Sequence, residues 1–208
     1  MRTILITGFG PFPGAPHNPT QALATRLATA KRPNLRLIGH VFATRYDAVD
    51  RELPALVERH CPDALLMFGL HGCARTLRVE TLARNAIGRR ADAGGTVPAT
   101  RRINTAGKNH ALMATPALRL VHAARRAGSE AVLSRDAGAY LCNYLCWRAT
   151  ALVDGETGPR LAAFIHVPPV ARGRGGRGTF SAAALERAGA AMLGELILCL
   201  GSAGKAAG

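Results

Sequence analysis

Short apolar runs of strand length, each followed by a helix-length segment, recur along this chain and restrict what it can fold into. Residues 2–7, 64–68 and 161–167 are such runs, and Gly or Pro closes each of them. Helical stretches fall at about 20–30, 47–60, 140–153 and from 181 onward. Strands that alternate with helices pack into a sheet covered by helices on both faces, so the fold class read from this order is α/β. At 208 residues the chain fits one domain, 1–208, large enough to bury about 70% of the surface its unfolded form exposes.

The pattern predicts further detail. Thr20 reads as the cap of the first helix, and Pro54 as either a kink in the second or its true first turn. Residues 35–43 alternate as a strand, and 76–86 alternate cleanly as one longer strand. Along that strand Leu77, Val79, Thr81 and Ala83 face one way, and Arg78, Glu80, Leu82 and Arg84 the other. The stretch 87–109 has no period and reads as a long functional or mobile loop. Thr115-Pro116 opens a helix with Thr as N-cap, and Gly128 stops it. A strand at 131–134 leads through Asp136-Ala137-Gly138 into the helix that begins near Tyr140. Leu185, Ala188, Met192, Leu196 and Cys199 mark the apolar face of the last helix.

Charge and cysteine content narrow the function classes. The formal charge is +14, and nearly all of it is arginine spread along the chain, as genome-wide compositional bias would also produce. The one concentrated patch, Arg172 through Gly178, lies in a segment, 171–179, that reads as a mobile Gly/Arg loop. RNA-binding segments of this kind usually repeat and interleave aromatics, and here only Phe180 follows; nucleic-acid binding stays as the alternative. The N-terminal apolar run is far shorter than the roughly 7–15 residues of a signal-peptide core, and no run approaches the roughly 20 of a membrane span. The chain therefore reads as soluble, unexported and cytoplasmic. Five cysteines, an odd number, suit reduced thiols, and their spacing has no zinc-site form, so neither metal nor cofactor is expected.

Three residues stand out as chemistry. Cys142 falls in the opening turn of a helix, where unpaired N–H groups and the helix dipole favour a thiolate; a small buried core residue is the other reading. His166 ends an apolar strand just before Pro168-Pro169, and functional groups of open α/β sheets gather at the carboxyl ends of strands. Glu80 is a lone carboxylate within a strand, which needs a partner to be buried. His166 would serve, and so would Arg78 or Arg84. The segment Thr7-Gly8-Phe9-Gly10-Pro11-Phe12-Pro13-Gly14 follows a strand, but its prolines spoil a dinucleotide turn. Two phenylalanines on a stiff loop suit the wall of a small apolar pocket.

In this setting the chain resembles the pyroglutamyl peptidase I family of cysteine peptidases, the pyrrolidone-carboxylate peptidases, in the same order over nearly its full length. Thr7-Gly8-Phe9, Pro11-Phe12 and Asn18-Pro19-Thr20 match the opening motif, and Arg78-Val79-Glu80 with Asn85 and Arg90 resembles the segment carrying the catalytic Glu. Tyr140-Leu141-Cys142-Asn143-Tyr144 resembles the nucleophile segment, and Phe164-Ile165-His166-Val167-Pro168, 24 residues further on, the histidine segment. The resemblance implies an α/β/α sandwich around a twisted mixed sheet, a homo-tetramer, and removal of an N-terminal pyroglutamyl residue from a peptide substrate. It implies Cys142 as nucleophile, His166 as base, Glu80 as its orienting partner, and an oxyanion held by the Cys142 N–H with Arg90. Phe9, Phe12, Asn18, Leu70, Tyr140 and Leu141 would bind the substrate ring.

The chain also departs from the family pattern. It offers Leu70 where a lactam-binding glutamine is expected, and the loop after Arg90 is one residue short around Asp92, though Gly94-Gly95 is kept. Asn18 would then read one polar atom of the lactam, and the partner of the other is either missing or comes from a backbone group or His71. A related cysteine amidase acting on another small cyclic or N-terminal amide is the enzymatic alternative, and a basic RNA-associated protein the non-enzymatic one.

Overall fold

The computed structural model describes residues 1–153, 158–171 and 180–202. Its first elements are β1 (Arg2–Phe9), α1 (Pro19–Ala28), β2 (Leu35–Phe42), α2 (Tyr46–His60), β3 (Ala64–Leu70), β4 (Leu77–Glu80) and β5 (Leu82–Arg84). Then follow β6 (His110–Leu112), α3 (Ala117–Arg126), β7 (Ala131–Ser134), α4 (Leu141–Val153), β8 (Leu161–Val167) and α5 (Ala182–Ser202).

Six strands form one sheet in the order β2-β1-β3-β8-β4-β7. The first four run parallel, β4 runs antiparallel to β8, and β7 is parallel to β4, so the sheet is mixed. The apolar runs occupy its middle because strands covered on both faces need apolar side chains both ways. Ile4, Ile6, Leu66 and Ile165 point to a core shared with α1, α3 and α5. Leu5, Leu65, Met67 and Phe164 point to a second core under α2 and α4. The result is an α/β/α sandwich. Each fully buried aliphatic side chain in these layers contributes about 1.5–3 kcal/mol. Gly8 sets how closely α1 meets the end of β1: a Cβ there would stand 2.2 Å from the Thr20 carbonyl oxygen.

Several local expectations change. The alternating run 76–86 is two strands in different sheets, because the chain leaves β7 at Thr81: its N–H and hydroxyl both donate to the Ser134 carbonyl, and its own carbonyl accepts from Met113. β5 then pairs with β6, a three-residue strand that the sequence pattern did not reveal. Asn18, not Thr20, caps α1, accepting the Thr20 N–H at 3.1 Å with Pro19 in the first helical position. Pro54 lies inside α2 on its exposed side, so it does not mark the first turn. Thr115 does not cap α3; Pro116 holds that position and the Thr115 hydroxyl is buried without a partner. The Gly/Arg loop at 171–179 lies, from residue 172 on, outside the described residues. Among the described residues no helix is long and apolar enough to cross a membrane, and no three His, Cys, Asp or Glu side chains group as a metal site.

Candidate active site

The antiparallel pairing of β4 with β8 places Arg78 opposite His166 and Glu80 opposite Phe164, on the face covered by α2 and α4. Glu80 is wholly buried. Its Oε1 lies 2.8 Å from His166 Nδ1, and its Oε2 accepts the Asp136 N–H at 3.2 Å. Arg78 stands further off, with Nε 3.9 Å from Oε1 and its guanidinium donating to Ser134 Oγ at 2.9 Å. Arg84 is engaged elsewhere, on Asp136 at 2.6 Å. Of the partners considered for Glu80, the imidazole is therefore the near one and Arg78 a longer-range cation.

Cys142 is the second residue of α4, half-buried, and follows a turn in which the Gly138 N–H donates to Asp136 Oδ1. Its sulfur occupies the space that Gly69 leaves open: a Cβ on Gly69 would meet Sγ at 2.6 Å. Gly69 is the register partner of His166 across β3 and β8, so the thiol rests beside the imidazole. Nδ1 is taken by Glu80, which leaves Nε2 for Cys142. Burial works against a charged imidazole, but the Cys142 charge and hydrogen bond, and then Glu80, outweigh it and push His166 up to about 9. Cys146, one turn deeper, is fully buried, and desolvation raises its thiol well above the usual range, so it is inert at neutral pH.

All six residues expected to bind a substrate ring line one cavity of about 330 Å³ that ends on Cys142 and His166. Phe9, Phe12, Leu70, Tyr140 and Leu141 form its apolar wall. Asn18 lies there too, with part of its hydrogen-bonding capacity used inside the protein. Its Nδ2 donates to the Gly10 carbonyl, and its Oδ1 accepts both the N–H and the hydroxyl of Thr20. Arg90 borders the cavity with its guanidinium 5.0 Å and 5.5 Å from the Tyr140 and Phe12 ring centroids, donating to the Pro13 carbonyl. Asp92 is buried and accepts the N–H groups of Tyr46, Gly94 and Thr96, which fixes the segment of chain beside Arg90.

The sequence pattern did not single out Thr44, whose hydroxyl donates to the same Gly10 carbonyl; it offered His71 as one group that could read the lactam, and His71 does line the cavity. His71 packs edge-on to His166 with ring centroids 5.3 Å apart. Burial, then the His166 and Arg78 cations, hold it below the ordinary histidine range.

A family model described as pyroglutamyl peptidase matches residues 2–176. A pyrrolidone-carboxylate peptidase of Vibrio vulnificus strain CMCP6 is 33% identical over 170 residues, which cover 81% of this chain and 79% of that one. One from Thermococcus litoralis is 31% identical over 169 residues, covering 81% and 77%. Among solved structures, pyrrolidone carboxyl peptidase from Thermococcus litoralis superposes with a TM-score of 0.82 at 28% identity, covering 95% of this chain and 96% of that one. A mutant pyrrolidone carboxyl peptidase from Pyrococcus furiosus superposes at 0.88 with 25% identity, covering 95% and 99%.

Proposed function

The chain belongs to the pyroglutamyl peptidase family, and on that premise we propose that it is a cytoplasmic, single-domain cysteine hydrolase that removes pyroglutamate from the N-terminus of peptides through Cys142, His166 and Glu80. The observation that carries the site assignment is the chain of contacts from the wholly buried Glu80 carboxylate through His166 Nδ1, at 2.8 Å, to the Cys142 thiol at the floor of an apolar cavity.

The steps follow from that order. The Cys142 thiolate attacks the pyroglutamyl carbonyl carbon, and the carbonyl oxygen takes the negative charge. That oxygen falls to the Cys142 N–H, one of the unpaired donors at the start of α4, and to the Arg90 guanidinium. The C–N bond breaks as His166 gives its Nε2 proton to the leaving amine, and a thioester remains. Water, deprotonated by His166, then attacks the thioester, releasing pyroglutamate and restoring the thiol. Glu80 holds the imidazole in the tautomer and orientation that both proton transfers need, and it stabilises the imidazolium.

Two results are expected. A fluorogenic pyroglutamyl amide is cleaved with release of one pyroglutamate per amine, and iodoacetamide stops turnover in step with carboxymethylation of Cys142, read by peptide mass spectrometry. Inactivation that tracks another cysteine instead would remove Cys142 from the mechanism. The second result concerns pH. His166 must be protonated when the amine leaves, and it stays so up to about 9. The kcat/KM profile should therefore keep its plateau through neutral pH and fall on the alkaline side near that value. A fall centred near the free imidazole value of about 6.5 would contradict the raised pKa.

A further inference from the structure

The cavity must tell a flat lactam from other five-membered rings, and its wall cannot do this. A pyroglutamyl ring offers one N–H and one carbonyl, while Phe9, Phe12, Leu70 and Leu141 offer only apolar surface. Asn18 and Thr44 both spend donors on the Gly10 carbonyl, and Arg90 lies on two aromatic rings and the Pro13 carbonyl. Tyr140 gives its hydroxyl hydrogen to the Ala91 carbonyl, and outside Cys142 and His166 the polar side chain on the cavity that makes no hydrogen bond to the protein is His71.

Its position is fixed. His71 directly follows β3, its own N–H donates to the Val167 carbonyl at 2.9 Å, and its ring meets His166 at 89°. Its Nδ1 is buried with no hydrogen-bond partner. A buried N–H with no acceptor is among the rarest orphans in folded proteins, so the favoured tautomer leaves Nδ1 as a bare lone pair and carries the proton on Nε2. Nε2 is also the ring nitrogen left for the cavity. The ring thus stands as a neutral donor beside a pocket that lacks one.

Resting on the pyroglutamyl reading above, we propose that His71 is the specificity-determining residue of this chain, donating its Nε2–H to the ring carbonyl of the bound pyroglutamyl group. A site built to hydrogen-bond a carbonyl rejects an analogue without it, because its own donor is then left unpaired.

Three amides with one leaving group test this: pyroglutamyl, 3-oxocyclopentanecarbonyl, which keeps the ring carbonyl but not the N–H, and cyclopentanecarbonyl, which has neither. Wild-type turnover of the pyroglutamyl amide is read first; its absence would overturn the activity itself and this inference with it. Given turnover, the oxo ring should exceed the plain ring in kcat/KM by roughly ten- to a hundredfold. In His71→Ala that ratio should fall towards one, with the plain ring little affected, and His71→Gln should keep part of it. A ratio unchanged by His71→Ala would overturn the inference, as would an equal fall on all three substrates, which would make His71 a support for His166.

Discussion

Cys142→Ala abolishes pyroglutamate release, by on the order of a millionfold, and leaves the fold intact. The size follows from members of a nucleophile–base unit failing together: without the sulfur, nothing else at the cavity floor can form the acyl intermediate. The intact fold follows from placement, since the side chain is half-buried at a helix start and alanine is a good helix former. His166→Ala should be as inactive but less stable. It strips the wholly buried Glu80 of its nearest partner, leaving the Asp136 N–H and an Arg78 Nε 3.9 Å away. The double variant should be no slower than either single one. A direct reading comes from NMR titration of His166. The Cys142 charge and hydrogen bond are the largest influences raising it, so its pKa should drop from about 9 in Cys142→Ala. Residual turnover in the alanine variant, or an unmoved His166 titration, would break the link between the two residues.

How much of this could be read from the chain alone varied with the range of the forces involved. The apolar runs at β1, β3 and β8 are legible because burial on both faces leaves no room for polar residues. Glu80 is legible as an anomaly, a carboxylate in a strand, but its partner is not. Which cation or imidazole it meets depends on β4 lying antiparallel to β8, a pairing across 86 residues that no local pattern encodes. The same limit explains the misread strand at 76–86. Its alternation is real on both sides of Thr81, yet the chain changes sheets there through contacts with Ser134 and Met113. Asn18 was expected as a substrate reader because an amide in a motif has no visible partner in one dimension. Folded, it also caps α1 and ties that helix to Gly10, a structural task that the sequence does not display. His71 is legible only as one of several groups that could read the lactam, because its packing against His166 across the sheet exists only in the fold.

Gly69→Ala should cut kcat/KM by roughly a hundredfold or more while the protein still folds. The residue carries no reactive group, so the effect must come from position. A methyl group at Gly69 would arrive 2.6 Å from Cys142 Sγ and 2.6 Å from Phe164 Cζ at once. Contacts that short cannot persist, so one neighbour has to move. Phe164 is wholly buried and packs its ring 5.1 Å from that of His166, so pushing it aside presses on the base. Cys142 is the softer of the two, since its χ1 can turn, but turning carries the sulfur away from the imidazole. Either relief separates nucleophile from base, and a displacement of about 1 Å is enough for a loss of that order. The cost to stability should stay within about 1–3 kcal/mol, the usual range for overpacking by one methyl. Two measurements separate the outcomes: the iodoacetamide rate at Cys142 should fall, because the thiolate loses its imidazolium, and thermal unfolding should remain cooperative. Full activity in Gly69→Ala would mean that the sulfur does not rest over this glycine in the working enzyme.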